Sequence, residues 1–165
     1  MIVAVVLLAC GSDVQPLLAD LDSINPTVQE DAVIEAREVD NPEVVAALEK
    51  LTTDPDPQIR RSAVISLDVL GHETSVAALM QLVSDQDDQT ARAAIDALGR
   101  IGDPRAAPAL WRCLEADYEN PPLNAIWALG EVGNLGAIPH LTQLRKHSRA
   151  EVRFLADNAL RKLGG

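Results

Sequence analysis

Apolar residues along this chain fall into a pattern that repeats every 31 positions. The segment Ser62-Ala63-Val64-Ile65-Ser66-Leu67-Asp68-Val69-Leu70-Gly71 is matched 31 residues on by Ala93–Gly102. Further matches follow at Asn124–Gly133 and Leu155–Gly164, and one step back lies a weaker copy, Asp31–Asp40. Each copy places apolar residues at offsets 0, 4 and 7, such as Ala94, Leu98 and Ile101. That spacing lines one face of a helix. A second set of markers, Leu48, Leu79, Leu110 and Leu141, keeps the same period and predicts a second helix in each unit. Leu17 falls in that register too, one period before Leu48.

Punctuation supports the pairing. Gly71, Gly102, Gly133 and Gly164 follow the last apolar residue of a first helix, where a left-handed stop is expected. Asp103-Pro104 opens a second helix with a capping carboxylate and a proline in the first turn. Asp54, Asp85 and Asp117 sit in the linkers and are expected to cap the first helices that follow. Pro121 and Pro122 are expected in the opening turn of their helix, where proline is tolerated. The prediction is an all-α chain, an α-solenoid of about five stacked helical hairpins. Two helices cannot bury their apolar stripes alone, so stacking must supply the core.

The pattern Ala-x-x-x-Leu-x-x-Ile-Gly-Asp-Pro-Arg-x-Ala-Pro-Ala-Leu, nearly as residues 94–110 write it, resembles the short HEAT-like repeats of the phycobilin lyase type. The resemblance covers about residues 25–164. It implies second helices on a concave side, with a variable column running through Glu49, Met80, Trp111 and Thr142. The 34-residue tetratricopeptide repeat lacks this Gly-Asp-Pro junction, and the Thr-Pro-Leu-His signature of ankyrin repeats is absent.

Composition narrows the function. Aromatic residues are 2% of the chain, so small aliphatic side chains must build the core. The net charge of −11 argues against nucleic acid as a partner, because phosphate binding needs a basic surface. The charge is also polarised. Residues 1–58 carry 12 acidic and 2 basic side chains, whereas residues 139–165 carry 2 and 6. Solvated helix faces account for such drift; an acidic face for a basic partner, or a polarity favouring head-to-tail contact, is the functional alternative.

Residues 2–9 are an uncharged apolar run, too short to span a bilayer, followed by Cys10-Gly11-Ser12. Leu7-Leu8-Ala9-Cys10 resembles the lipobox of bacterial lipoproteins, which implies cleavage before Cys10 and lipid attachment there. No Lys or Arg precedes the run, so the alternative is a first helix belonging to another repeat. The expected organisation is a signal segment over 1–9, a linker and partial repeat helix over 10–24, and the repeat domain over 25–165. The expected location is the bacterial cell envelope on the periplasmic side, or otherwise the cytoplasm.

Catalytic patterns are lacking. His72, His140 and His147 have no metal-ligand spacing and read as surface imidazoles, so neither metal nor cofactor is expected. Cys113 takes the core slot of Leu82 and Leu144. Trp127 reads as packing at a unit junction. Trp111 and Arg112 pair residue types enriched at binding hot spots, and with Glu115 they form the candidate partner-binding patch. The expected function is a non-catalytic protein–protein interaction scaffold, with a phycobilin lyase-like chromophore protein or a soluble cytosolic regulator as alternatives.

Overall fold

The computed structural model describes residues 13–164. Cys10 and the apolar run before it lie outside these residues. Among the described residues there are ten α-helices and no strand. In chain order they are α1 (Gln15–Leu21), α2 (Pro26–Glu35), α3 (Pro42–Leu51), α4 (Pro57–Leu70), α5 (Val76–Gln81), α6 (Asp88–Ile101), α7 (Ala107–Ala116), α8 (Leu123–Glu131), α9 (Ile138–Leu144) and α10 (Ala150–Lys162). Even-numbered helices are the first helices of the repeat and odd-numbered ones the second.

The chain divides into two compact units at Ser75/Val76. In the first unit α2 packs on α4, α1 on α3, and α3 on α4. In the second unit α6, α8 and α10 form one row, with α5, α7 and α9 packed against it. The marker residues are the core of each unit. Leu48, Leu79, Leu110 and Leu141 have no exposed surface, and Leu17 on α1 is buried in the same register. Ala63, Ala94, Ala125 and Ala156 are likewise fully buried. Burial of each such leucine stabilises the fold by about 1.5–3 kcal/mol. Alanines at the other marker positions let neighbouring first helices approach closely.

Gly71, Gly102, Gly133 and Gly164 all take φ between 68° and 86°, the left-handed stop that their register predicts. The weak copy has Asp40 at this position and stops differently. There α2 runs into a 3-10 turn, Ala36–Glu38, and Val39 is extended.

The caps differ from expectation. Asp54 and Asp85 do not cap the first helices themselves; Asp56 and Asp87 do, accepting from the amides of Gln58 and Thr90 at 2.8 Å. Asp54 and Asp85 sit two residues earlier, and each accepts the amide of the cap residue at 2.8 Å. Their side chains therefore shape the turn that presents the cap. Ser23 does the same for Asn25. Asp117 accepts from the amide of Asn120 at the C-terminal end of α7 and does not cap α8. Pro121 and Pro122 also stand outside their helix, because α8 begins at Leu123 with Pro122 as an N-cap that offers no side-chain acceptor.

Candidate functional site

The candidate patch lies on α7. Its approach is organised by Asp103, whose side chain accepts the Arg105 amide at 2.8 Å and also bonds the Arg105 guanidinium. Those contacts hold the Asp103 carboxyl below the usual carboxylate range, against the opposing effect of burial. A 3-10 turn, Pro104–Ala106, then leads into α7.

Trp111 and Glu115 are four residues apart on one face of α7. Trp111 is half-buried. Its indole stacks on the imidazole of His140 from α9, with ring centroids 4.9 Å apart and planes at 11°. The ring also lies over Gly136, where an added β-carbon would stand 3.5 Å from Cη2. Glu115 reaches the same histidine at its ring edge, with Oε1 at 3.1 Å from His140 Nδ1. The result is a carboxylate–imidazole–indole group spanning two successive second helices. His140, itself held by Glu115, packs on the indole from a second backbone, which lowers the cost of immobilising the ring on binding.

Arg112 behaves differently. It is exposed, and its Nε donates to the carbonyl of Pro108 one turn back on its own helix, at 3.1 Å. It stands next to the stack without joining it. Below the stack, Tyr118 donates its hydroxyl to the Gln143 carbonyl at 3.2 Å. Leu114, Gln143 and Leu144 then form a shallow cleft with Glu115, Tyr118 and His140.

At two other positions of this register the side chains are engaged in hydrogen bonds. Glu49 accepts from the Ser75 hydroxyl at 2.8 Å, and Thr142 donates to the Ile138 carbonyl at 2.7 Å. Only at Trp111 does the column carry a large flat ring.

Two of the three histidines are not the plain surface groups that the sequence suggests. His140 is part of the stack. His147 is buried, with 5% of its surface exposed. Its Nδ1 accepts the amide of Arg149 at 3.1 Å, so its Nε2 donates to the Tyr118 carbonyl at 3.0 Å. His147 thus occupies the turn-shaping slot that Asp54 and Asp85 fill elsewhere. His72 stays at the surface, 2.8 Å from Asp40. The missed signal is an offset rather than a motif. Between α7 and α9 the meeting residues stand 25 or 29 apart, and that offset pairs Glu115 and Trp111 with His140.

Cys113 and Trp127 sit where the sequence puts them. Cys113 is buried, and its one thiol hydrogen has the carbonyls of Ala109 and Val83 within reach as acceptors. Burial pushes the thiol up, outweighing the Ser84 hydrogen bond and the nearby Arg112 charge that act the other way. Trp127 lies against Gly99 in the first-helix row. Among the described residues no three His, Cys, Asp or Glu side chains gather as a possible metal site. No helix among them is long and apolar enough to cross a membrane.

Comparison with known proteins places this geometry. The profile of HEAT repeats matches residues 14–93 and 51–122, which together make up more than half of the chain. No curated protein matches. Among solved structures, the complex of CpcE and CpcF of phycocyanin lyase from Nostoc sp. is similar over 92% of this chain, with 24% identity and a TM-score of 0.77. The present chain covers 65% of that one, just under two thirds of its length. A designed armadillo repeat protein in complex with the peptide (KR)4 is similar over 91% of this chain and 81% of its own, with 20% identity and a TM-score of 0.70. Computationally designed armadillo repeat proteins for modular peptide recognition are similar over 90% and 81%, at 20% identity and a TM-score of 0.65. At these identities the likeness is one of fold.

Proposed function

Because the chain belongs to the HEAT-repeat family, we propose that it is a non-catalytic scaffold that takes a protein partner on its second helices at Trp111, Arg112 and Glu115. The observation that carries this reading is the Trp111–His140 stack with Glu115 behind it. A half-buried indole stacked on a histidine of the neighbouring helix, with an exposed guanidinium beside it, is the kind of anchor that dominates protein interfaces. Held rings lose little entropy on binding, so they contribute more affinity than mobile ones of equal area. Peptide-binding armadillo designs with the same fold support the choice of a protein ligand over a small one.

The experiment is a comparison of partners. The wild-type chain and the Trp111→Ala/Arg112→Ala variant are used as baits in parallel, after circular dichroism has shown equal helix content. Loss of the partners specific to the wild type supports the patch, and an unchanged set rejects it.

The envelope location belongs to the same proposal and rests on the sequence of residues 2–10 alone. In this reading Cys10 carries the lipid, and the scaffold faces the periplasm. Mass spectrometry of protein purified from membranes should find a diacylglyceryl adduct on Cys10. Soluble protein that retains Met1 would overturn it.

A second reading, a chromophore protein of the phycobilin lyase type, is favoured by the likeness to the CpcE–CpcF complex. The chain offers two Trp, one Tyr and one Phe to hold a flat pigment. Mixing the purified chain with a bilin separates the readings: a sharpened, shifted absorption band favours the pigment, and an unchanged spectrum removes it.

A further inference from the structure

We propose that copies of this chain associate head to tail, with the outer face of α10 in one copy docking on α2 of the next. The occupant of the α10 face is thus a second copy of the chain, selected by charge and by repeat register.

Neighbouring first helices touch through residues 29 apart in both units. In the first unit Arg37 Nε donates to the Ser66 hydroxyl at 3.1 Å. In the second, a β-carbon on Gly99 would stand 3.0 Å from that of Ala128, and one on Gly130 would stand 2.9 Å from Ala159 Cα. The residue 28 on lies beside the same contact, as Trp127 does over Gly99. On α10 the corresponding donor position is Arg161. On α2 the receiving positions are Glu35, in the slot of Ser66, Ala128 and Ala159, and Ile34, in the slot of Trp127. A second copy stacked in register therefore sets the Arg161 stem over Ile34 and its guanidinium against Glu35.

The adjoining pair repeats the match. Lys162 pairs with Glu131, 31 residues before it. The same step taken forward into a second copy reaches Glu38, so Lys162 would lie between two carboxylates. Several of the side chains on these faces are exposed. Ile34 is 48% exposed, Phe154 on α10 is 63% exposed, and Glu38 is exposed as well. Asp157, the acidic group on the α10 face, is already matched by Arg145 at 2.7 Å.

Net charge runs the same way over a larger area. Residues 13–40 carry 8 acidic side chains and 1 basic, against 2 and 6 for residues 139–164. Opposite fields on two surfaces of one molecule steer copies into one relative orientation. The two faces are different, so the contact is heterologous.

Sedimentation velocity of the full chain tests this between about 10 μM and about 1 mM, the range of weak charge-steered contacts. At low salt the weight-average sedimentation coefficient should rise with concentration. It should fall back in about 0.5 M NaCl, where the Debye length is under about 5 Å. The Arg161→Glu/Lys162→Glu and Glu35→Lys/Glu38→Lys variants should each associate at least about tenfold more weakly. An equimolar mixture of the two should regain association, because each reversed face then meets a reversed partner. Circular dichroism checks that each variant folds, and Arg161→Ala replaces the first pair if it does not. A chain that stays monomeric at every concentration overturns the proposal. So does association that neither reversal weakens, or a mixture that fails to recover it.

Discussion

Gly130 of α8 lies against the backbone of α10: a β-carbon placed on it would stand 2.9 Å from Ala159 Cα and 3.0 Å from Ala159 Cβ. Gly99 makes the equivalent approach one repeat earlier, yet its nearest neighbour is a side chain, Trp127, at 2.5 Å. An alanine at either site gains about 0.5–1 kcal/mol in helix preference over glycine. At Gly130 the obstruction is a helix axis that cannot yield without spreading the repeat. Gly130→Ala should therefore be destabilising by about 1–3 kcal/mol. At Gly99 the indole is the far part of a partly exposed side chain and can turn aside, so Gly99→Ala should cost less. Urea denaturation of the two variants checks the order.

Ser66 fills the small-residue slot held by Ala97, Ala128 and Ala159 in other repeats, and it is fully buried. Its hydroxyl donates to the Val33 carbonyl at 2.8 Å and accepts from Arg37 Nε at 3.1 Å. Ser66→Ala fits the slot sterically and removes only the hydrogen bonds, so the expected loss is about 1 kcal/mol. Ser66→Val adds volume at a closely packed contact and should cost more. Thermal melts of the pair separate hydrogen bonding from packing.

The Cys113 thiol is raised by burial. It should stay protonated and unreactive in the folded chain at neutral pH. In a Cys10→Ser background, titration with a thiol reagent should find no fast-reacting group in the native state and one after unfolding. Rapid native labelling would show that α7 opens readily.

Asp103 has its carboxyl lowered by the Arg105 side chain. A carboxylate depressed in the folded state stabilises it above the unfolded value of about 3.8–3.9. That contribution is lost as the pH falls through the lower folded value. Asp103→Asn keeps an acceptor for the Arg105 amide but loses the charge. Its unfolding free energy should therefore fall less steeply between about pH 5 and pH 2 than that of the wild type. The difference should stay below about 1 kcal/mol, since the Arg105 side chain is 66% exposed and its charge is well solvated. Chemical denaturation across that pH range measures it.

The linear sequence by itself determined the repeat. Ala94, Leu98 and Ile101, the leucines 31 apart and the glycines after each first helix are local requirements of helices, and such requirements recur wherever the helix recurs. It also placed Cys113 in the core, because its counterparts Leu82 and Leu144 show the environment of that slot. Tertiary structure decided what depends on two backbones at once. That Asp56 rather than Asp54 caps α4 follows from the turn between the helices. That His147 is buried follows from the Tyr118 carbonyl reaching it across the stack. The Trp111–His140–Glu115 group is the clearest case. Trp111 and Glu115 share a helix face and can be paired from their spacing. His140 joins them only because α9 lies beside α7 at an offset set by side-chain packing, and no spacing within one helix encodes that offset.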